Sequence, residues 1–361
     1  MISSQVFDAI LQAAIAAPSP DNNQPWLFRV ENDSLLVYLD HSRSLPSDVK
    51  SMFDMTSIGA AVENAVIAAA DLGLAAEVIW RGEPHVASSS ENLKVEIKFR
   101  SGGTRDPLVE SIFSRCTNRK MYASDPLEPS LLDQLTASCA DFPEVQIDWL
   151  TSKHHKRRFG KLIASTDALR FQHRPFHEEL FRQLRFTKQQ AESTADGLDL
   201  RTLELPPGLS SMLPLLRNWK VMRAIIAMRM LPLLTMPSLV SVKKSGAIAI
   251  LSVPQELVNE PHNPAQIFAT GGRAIQRLWL AGTAAGLSMH PLGSVSIFLL
   301  TEDPKPDFRT TIDRVRVATH ELIPQLAGRT VQLALRVGRG AAPSIRSIRR
   351  PLEALTLNDS V

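Results

Sequence analysis

Cysteine is scarce in this sequence, since its 361 residues include only Cys116 and Cys139. Two thiols are too few for a disulfide-stabilised scaffold or for a typical structural zinc site. They could pair with each other in principle, but thiols in a cytosolic chain normally stay reduced. The cysteine count therefore predicts neither a disulfide framework nor a cysteine-based metal centre.

Long apolar runs are missing as well, and a membrane-spanning helix would need about 18 or more consecutive apolar residues. The most apolar stretch, residues 228–242, is interrupted by Arg229, Pro232 and Pro237, so we predict a buried or lid-like helix there. The N-terminal sequence MISSQVFDAILQ lacks the basic start of a secretion signal. We therefore expect a cytoplasmic protein with no membrane partner.

Neither sign of charge is in large excess, because the formal net charge is +3. A composition of 44% hydrophobic and 21% charged residues is typical of a globular protein. The basic residues are spread along the chain, so no nucleic-acid partner is expected. One basic run, RVGRGAAPSIRSIRR near the C-terminus, fits either a solvated tail or an anion-binding cluster.

The periodic segments of the first third predict mixed helices and strands. Residues 5–17 have helical spacing and stop before Pro18, which opens the loop sequence PSPDNNQPW. Strands are predicted in WLFRV and SLLVYLD around the turn Asn32–Asp33, followed by a small-residue helix at 59–74 and a strand in NLKVEIKF.

A new series of elements follows the Pro-, Ser- and Gly-rich stretch 81–106, where we place an internal boundary. Helices are predicted from Pro107 into SRCTNRKMY, in PSLLDQLTASCA and at 153–171, and strands in VQIDWL, GAIAILSV and QLALRVG. Residues 172–240 are less regular, and such a long excursion between core elements often serves as a lid.

Two helices in different parts of the chain resemble each other. The segment from Gly59 aligns without a gap with the segment from Gly272, and their closing Gly73-Leu74 and Gly286-Leu287 coincide. Any two alanine-rich amphipathic helices share some similarity. A match of this length nevertheless suggests an internal duplication.

The loop from Ala17 to Trp26, with Phe28 beyond it, resembles the APS-x-x-N-x-QPW-x-F signature of the nitroreductase family. A second segment, RCTNR at 115–119, resembles the R-R-S-x-R segment that normally opens a nitroreductase chain. Here it follows the APS loop, and this order implies a fusion of two half-copies. The resemblance covers nearly the whole chain and is greatest to the Acg-type branch of the family.

The resemblance implies an α+β, nitroreductase-like fold in which two tandem half-copies form a pseudo-dimer within one chain. Residues 1–104 would be the first copy with the APS-QPW loop. Residues 105–361 would be the second copy, with the phosphate-binding segment and a possible lid at 172–240. Complementary loss of motifs predicts one FMN site per chain, in a monomer or a weak homodimer.

An FMN phosphate carries nearly two negative charges and is best held by guanidinium groups and hydroxyls. Arg115, Thr117 and Arg119 of the RCTNR segment fit this role. Arg349 lies in RRPLE, which resembles the closing R-x-P-L-E segment of the family, and is the expected second phosphate ligand. Its neighbours Arg346 and Arg350 are the alternatives.

A flavin ring needs an apolar slot with a few amide donors near N5 and O4. The resemblance implies one wall from the first copy and one from the stretch GLSMHPLGS, which resembles the family's G-L-x-x-x-P-x-E-G turn. Gly293 and Ser294 replace the family's Glu and Gly, and their backbone amides are expected to face N5. The expected wall residues are Pro18, Ser19, Pro20, Asn22, Pro291, Leu292, Gly293 and Ser294.

No protein side chain is expected to act as a catalytic acid or base, because flavin hydride transfer in this family generally needs none. His290 is interpreted as a wall residue or a core histidine rather than a general acid. His173 and His177 lie four residues apart but lack acidic or cysteine partners at metal-ligand spacing, so we predict a solvated helix surface and no metal.

The resemblance implies an FMN-dependent oxidoreductase with ping-pong kinetics, in which NAD(P)H is the electron donor and a nitroaromatic, quinone or similar small molecule the acceptor. A lid at 172–240 supports an alternative hypothesis, in which the protein sequesters FMN and is catalytically silent. Specialised flavin chemistry, such as flavin fragmentation or peptide azoline oxidation, is a third class that no residue selects. The choice between NADH and NADPH also stays open.

Overall fold

A computed structural model describes residues 2–81, 93–205, 208–260, 264–302 and 304–357. The chain is an α+β protein, as predicted. Its helices are α1 (Ser4–Ile15), α2 (Met52–Asp71), α3 (Pro129–Ala137), α4 (Lys153–Gln172), α5 (Arg174–Gln183), α6 (Lys188–Thr194), α7 (Leu209–Leu216), α8 (Trp219–Ala227), α9 (Leu231–Lys243), α10 (Gln255–Val258), α11 (Pro264–Ala284), α12 (Ser294–Leu300) and α13 (Pro306–Leu322). Its strands are β1 (Trp26–Glu31), β2 (Ser34–Leu39), β3 (Leu74–Trp80), β4 (Leu93–Ser101), β5 (Gln146–Leu150), β6 (Leu184–Arg185), β7 (Leu198–Asp199), β8 (Ala247–Pro254), β9 (Ser288–Leu292) and β10 (Arg329–Gly338).

Two four-stranded antiparallel sheets have the same topology. The strand orders are β1-β2-β4-β3 and β5-β8-β10-β9, so each sheet places its fourth strand in sequence between its second and third. In each sheet a long helix, α2 or α11, connects the second strand to the third and is followed by a glycine with positive φ, Gly73 or Gly286. The repeated topology confirms two tandem half-copies in one chain.

The two copies differ most at the connection between their first two strands. In the first copy β1 and β2 form a hairpin in which Glu31 pairs with Ser34, and Asn32 takes the positive φ that a tight turn requires. In the second copy β5 and β8 are joined by residues 151–246, which contain α4 to α9. The predicted lid region is therefore part of a large insertion into a hairpin.

The central helices α2 and α11 pack against each other at the contact between the copies. A Cβ atom on Gly59 would lie 2.0 Å from the Ala269 carbonyl oxygen, and a Cβ on Gly272 would lie 2.2 Å from the Thr56 carbonyl oxygen. In the alignment of the two helices Gly59 corresponds to Gly272 and Thr56 to Ala269. The two contacts are therefore equivalent, as a pseudo-twofold axis between the copies requires.

Polar pairs one turn further along the central helices are related by the same pseudo-twofold axis. Gln276 donates to Asn64 at 2.7 Å, and Arg277 donates to Glu63 at 2.9 Å. Glu63 aligns with Gln276 and Asn64 with Arg277, so the two pairs occupy equivalent places. Because Glu63 is buried, its pairing with Arg277 and Arg273 compensates a charge that would otherwise be costly.

The C-terminal tail leaves the second sheet and returns to the first. The Phe28 amide donates to the Leu355 carbonyl at 2.8 Å, and the Leu357 amide donates to the Phe28 carbonyl at 2.7 Å. The tail thus adds a short bridge to β1 beside the APS loop. This path carries the basic run of the tail across the junction between the copies.

Two predicted elements need correction, and two helices were missed. The helix expected from Pro107 is only a short 3-10 turn, Pro107–Ser111, because the following RCTNR segment is extended and bonds to the strand β9. The stretch expected as a turn before Gly293 is the strand β9, paired with β10. The helices α12 and α13 were not predicted. The predicted helices at 5–17, 59–74 and 153–171 are confirmed, the second as part of the longer α2.

Among the described residues, no single helix has the length and apolar character needed to cross a membrane. The helices α8 and α9 meet that criterion only as a pair, and they are bent by 87° relative to each other.

Candidate functional site

A cavity of about 470 Å³ lies at the junction of the two copies. Its size is within the usual range for a small-molecule or cofactor site. The lining comes from the APS loop, α2, the RCTNR segment, α4, β9 and the tail. All twelve predicted site residues line it: Pro18, Ser19, Pro20, Asn22, Arg115, Thr117, Arg119, Pro291, Leu292, Gly293, Ser294 and Arg349.

The APS loop has an unusual backbone that is fixed by its own polar side chains. Asp21, Asn22 and Gln24 all have positive φ values, between 47° and 59°. Asn and Asp tolerate this region better than other non-glycine residues. Gln24 is held there by a hydrogen bond, in which its backbone amide donates to the Ser19 hydroxyl at 3.0 Å. Such conformations persist only where surrounding contacts enforce them. The loop is therefore preorganised on one side of the cavity.

Gln24, which the sequence did not single out as a site residue, links three segments. Its fully buried side chain donates to the Ala195 carbonyl at 2.8 Å and accepts from the Arg350 amide at 2.9 Å. The glutamine of the QPW motif thus joins the loop to the insertion and to the tail. Its position in the motif was visible in the sequence, but its partners, 171 and 326 residues away, were not.

The RCTNR segment is bound along the edge of β9. The Asn118 amide donates to the Met289 carbonyl at 2.9 Å, and its side chain donates to Ser288 and to the Ala341 carbonyl at 2.9 and 2.8 Å. Thr117 forms an isolated bridge with Met289. These contacts orient the segment so that Arg115, Thr117 and Arg119 all face the cavity.

Arg115 is a buried cation without a counter-charge in contact. Its side chain stacks on Trp279, with the guanidinium carbon 4.7 Å from the ring centre, and donates once, to the Ala16 carbonyl at 3.1 Å. Its Nε and Nη1 atoms are buried and have no hydrogen-bond partner among the described residues. Burial and the like charge of Arg349 lower the pKa of Arg115 to about 9. An anion in the cavity would satisfy both the charge and the free donors.

Arg349 reaches the same end of the cavity from the tail. It donates to the carbonyls of Ile15 and Ala17 at 3.0 and 2.9 Å and to the Asn22 side chain at 2.8 Å. Its Nη1 atom also donates to the Ser347 carbonyl at 3.5 Å, so four of the five N–H donors of the guanidinium group are used and one on Nη2 remains for a ligand. Burial lowers the pKa of Arg349 to about 10.

The two alternative tail arginines differ in placement. Arg346 lines the cavity and donates to the Phe113 and Ser114 carbonyls at 2.5 and 2.9 Å. Arg350 is not part of the cavity lining and forms an ion pair with Asp196. Arg346 is therefore a neighbour of the buried Arg115 and the half-buried Arg349, whereas Arg350 holds the tail to the insertion.

The replacement of the family's Glu by Gly293 has a local steric reason. A Cβ atom on Gly293 would lie 3.0 Å from Cζ of Phe53, which belongs to α2 of the first copy and also lines the cavity. The phenylalanine ring thus occupies the space that a side chain at 293 would need. Phe53 was not predicted as a site residue, because nothing in the sequence pairs it with Gly293.

His290 lies in the cavity wall, in agreement with its interpretation from sequence. Arg336 donates through Nε to its Nδ1 at 3.0 Å. Burial and the charges of Arg336 and Arg119 hold the pKa of His290 well below its ordinary value. The ring is therefore a neutral acceptor and carries no proton to donate from Nδ1.

Asp167 is a cavity carboxyl that sequence reasoning missed. It lies on α4 and shares the cavity lining with Ser238 of α9 and Ser294 at the start of α12. Burial raises its pKa, and the nearby hydroxyls of Ser238 and Ser294 oppose that shift. The hydrogen bond across this junction is made by the neighbouring Thr166, whose hydroxyl lies 3.0 Å from that of Ser294.

The prediction for His177 was wrong. This histidine is fully buried, packs between Phe181 and Trp219, and bonds through Nε2 to the Leu216 carbonyl at 2.8 Å. It is a core residue of the insertion rather than a solvated surface residue. In the described part of the chain, no cluster of three or more His, Cys, Asp or Glu side chains is arranged to hold a metal ion.

The insertion covers the cavity and is fastened to the first copy. Leu180, Leu198, Thr202 and Ser238 contribute to the cavity lining. At the rim, the Ser47 amide donates to the buried carboxylate of Glu179 at 2.9 Å. Together with the Gln24 contact and the ion pair of Arg350, this bond holds the insertion against the cavity.

Comparisons with known proteins agree with this structure, although no protein-family model matches the chain. An uncharacterized Mycobacterium tuberculosis protein is 27% identical over 96% of this chain and 48% of its own length. A Mycobacterium tuberculosis protein provisionally named NAD(P)H nitroreductase acg is 26% identical over 50% of this chain and 54% of its own length. The chain spans about half the length of these curated relatives.

Among solved structures, the FMN-dependent nitroreductase NfnB of Mycobacterium smegmatis, in complex with NADPH, has a TM-score of 0.42 and 14% identity over 70% of this chain and 97% of its own. An NADPH:FMN oxidoreductase of Vibrio harveyi, complexed with NAD+, has a TM-score of 0.38 and 11% identity over 71% of this chain and 78% of its own. The resemblance to the Acg-type branch, inferred from the motifs, is borne out by the sequence similarity to the Mycobacterium tuberculosis protein over half of this chain.

Proposed function

We propose that this chain binds FMN in the cavity between its copies and acts as an NAD(P)H-dependent oxidoreductase of the nitroreductase type. The observation that carries the proposal is the convergence of twelve predicted site residues, from four separate segments, on one cavity. In this proposal residues 1–104 and 105–361 are the two copies. Each contributes one wall, so a single chain completes one site and no second subunit is needed.

The residues present fit a phosphate at the arginine end of the cavity. Arg115 has two buried donor atoms without a partner among the described residues, and Arg349 keeps one unused donor beside it. The Thr117 hydroxyl and Arg119 complete the donor set. A bound dianion would stabilise the charged forms of these two guanidinium groups, whose pKa values burial lowers.

The other part of the cavity fits a flat heterocycle. Pro18, Pro20 and Phe53 supply apolar surface from the first copy, while Pro291 and Leu292 supply it from the second. Bound FMN would supply reversible two-electron chemistry by accepting a hydride. The residues of this chain bind and orient the ring, keep water away and leave N5 accessible, and none of them needs to act as a nucleophile.

In the proposed reaction the cavity would admit two substrates in turn. NAD(P)H would be the source of a hydride, and a nitroaromatic, a quinone or a similar acceptor would take up two electrons together with protons from solvent. The Asp167 carboxyl and the Arg170 side chain face the space where a substrate would lie and set its polarity. We propose both the class of electron acceptor and NAD(P)H as the electron donor.

Sequestration of FMN without turnover is the second candidate function. A specific observation favours it, namely that the insertion is bonded closed over the cavity through Glu179, Gln24 and Arg350. A closed cover that rarely opens would hold the cofactor and exclude substrates. The two candidates therefore differ in how freely the cover moves.

The first experiment is anaerobic addition of NADPH or NADH to the purified protein, with flavin absorbance recorded over time. Bleaching within seconds and one FMN per chain would support the oxidoreductase. Bound flavin that neither nucleotide reduces would support sequestration, and protein that binds no FMN on reconstitution would contradict both candidates.

A variant that lacks the contacts between the insertion and the rest of the chain distinguishes the oxidoreductase from FMN sequestration. Combining Glu179→Ala with Asp196→Ala removes the contacts to Ser47 and Arg350, and we expect flavin reduction by NADPH to become at least tenfold faster if the cover limits access. Glu178→Ala is the matched control, because Glu178 is exposed and pairs only with Arg174. Equal reduction rates in wild type and double variant would show that the cover does not limit access.

The contact between Gly293 and Phe53 gives a smaller prediction. We expect Gly293→Ala to push the Phe53 ring into the cavity and to weaken FMN binding by about tenfold, an overpacking cost of about 1–2 kcal/mol. Adding Phe53→Leu makes room for the new methyl group and should restore most of the affinity. Fluorescence titration of FMN measures both, and failure of the double variant to recover would show that another contact of Gly293 matters.

A further inference from the structure

The outer side of the insertion carries an apolar surface. Seven of the twelve exposed large apolar residues of the described chain lie between 209 and 243, which contains α7, α8 and α9. We call this set the lid surface: Met212, Leu215, Val221, Met228, Met230, Leu233 and Met236. Exposed apolar side chains concentrated in one segment of a folded chain point to an interaction site.

The helices of the lid surface are apolar on both sides. Met222, Leu231 and Val242 are buried against the rest of the insertion, and α8 and α9 pack on α4. Val221 of α8, Met228 directly after its end, and Leu233 and Met236 of α9 remain exposed. The inward stripes explain the packing of α8 and α9, whereas the outward stripes have no role within the described chain.

The charge of the same segment is one-sided. Residues 205–255 contain no Asp or Glu and six basic residues, so they carry +6 in a chain whose net charge is +3. All six basic side chains are exposed: Arg217, Lys220, Arg223, Arg229, Lys243 and Lys244. Three of them, Arg217, Lys220 and Arg223, line a groove with Trp219 beside the apolar residues of α8. These basic and apolar side chains would be matched by a partner that has a negatively charged surface over an apolar interior.

We propose that the lid surface docks on an anionic lipid bilayer. Exposed methionine, leucine and valine side chains would enter the acyl boundary, and the six cations would lie among the phosphate headgroups. Helices of 8, 9 and 13 residues are too short to span the bilayer, so the contact is peripheral. This surface contact departs from the sequence-based expectation of no membrane partner.

Docking would place lipid against the cover of the cavity. Ser238 on α9 lines the cavity, whereas Leu233 and Met236 on the same helix belong to the lid surface. If the proposed function holds, an acceptor dissolved in the bilayer, such as a lipophilic quinone, would approach through this helix. Docking itself needs no cofactor, so a lipid-binding test can fail or succeed independently of the proposed function.

The test is co-sedimentation of the full chain with vesicles of phosphatidylcholine alone or mixed with phosphatidylglycerol, at low and high salt. We expect binding to the mixed vesicles that salt weakens. Replacing Arg217, Lys220 and Arg223 together by Gln should weaken it roughly 100-fold, since each basic residue contributes about fivefold at an anionic surface. Replacing Met228, Leu233 and Met236 together by Ser should weaken binding about tenfold or more.

Matched controls lie on other faces of the molecule. Lys98, Lys161 and Lys188, all exposed, are replaced together by Gln, and Val317, 58% exposed on α13, is replaced by Ser. Both controls should bind like wild type, and circular dichroism confirms folding of every variant. Absence of binding, or equal loss in controls and lid variants, would overturn the proposal. A dimer that the Met228, Leu233 and Met236 replacements dissociate, without vesicle binding, would overturn it in favour of self-association.

Discussion

Replacing Arg115 by Met is expected to weaken FMN binding by about 100-fold and, at the same time, to leave the flavin-free protein as stable as wild type or more so. The first effect follows because charge-assisted hydrogen bonds to phosphate are worth about 2–3 kcal/mol. The second follows because Arg115 is buried at 6% exposure with two unpaired donor atoms beside the like charge of Arg349. Methionine keeps the contact with Trp279 and removes the buried charge.

Arg349→Met should behave differently, because Arg349 also holds the APS loop. Its bonds to Ile15, Ala17 and Asn22 would be lost, so both FMN affinity and the stability of the flavin-free protein should fall. Arg105→Met is the matched control, since Arg105 is an exposed, ion-paired arginine outside the cavity lining.

FMN titration and thermal unfolding with and without FMN measure both effects. Unchanged FMN affinity in Arg115→Met would show that the phosphate lies elsewhere. A large loss of flavin-free stability in the same variant would show that Arg115 is primarily a structural cation.

Much of the candidate site was predictable because its residues lie in two short motifs whose spacing is local. The APS loop and the RCTNR segment could be recognised without knowing how they meet, and a single motif match per segment was enough to assign Pro18, Asn22 or Arg115. The duplication was predictable for a similar reason. The sequences of α2 and α11 align over their whole small-residue surface, because each is pressed against the other and tolerates few large side chains.

Other parts of the site depend on contacts that no local pattern encodes. Phe53 lies next to Gly293 although 240 positions separate them in the sequence. Asp167 lies near Ser294, on a helix whose sequence is basic and predicts an exposed surface. The expected helix after Pro107 failed because binding to β9 outweighs local propensity in that segment. The burial of His177 was missed because the insertion has a small core of its own, which includes Phe181 and Leu216.

Gly59→Ala and Gly272→Ala are each expected to reduce the free energy of unfolding by about 3 kcal/mol, although alanine favours helices by about 1 kcal/mol over glycine. The added methyl group would meet a backbone carbonyl oxygen of the opposite helix at 2.0 or 2.2 Å, and backbone cannot move without separating the copies. Because the two contacts are equivalent about the pseudo-twofold axis, the two losses should be similar. Both variants should also bind FMN more weakly, since each copy supplies one wall of the cavity.

Gly160→Ala is the matched control for these variants, because Gly160 lies within α4 and its added Cβ would meet the side-chain Cδ1 of Leu239 at 3.0 Å, which can rotate away. We expect that substitution to cost less than about 1 kcal/mol. Urea unfolding followed by circular dichroism compares the three variants. A Gly59→Ala variant that lost no more unfolding free energy than Gly160→Ala would show that the central helices do not need close backbone contact. The distance between the two walls of the site would then be set by contacts other than those between α2 and α11.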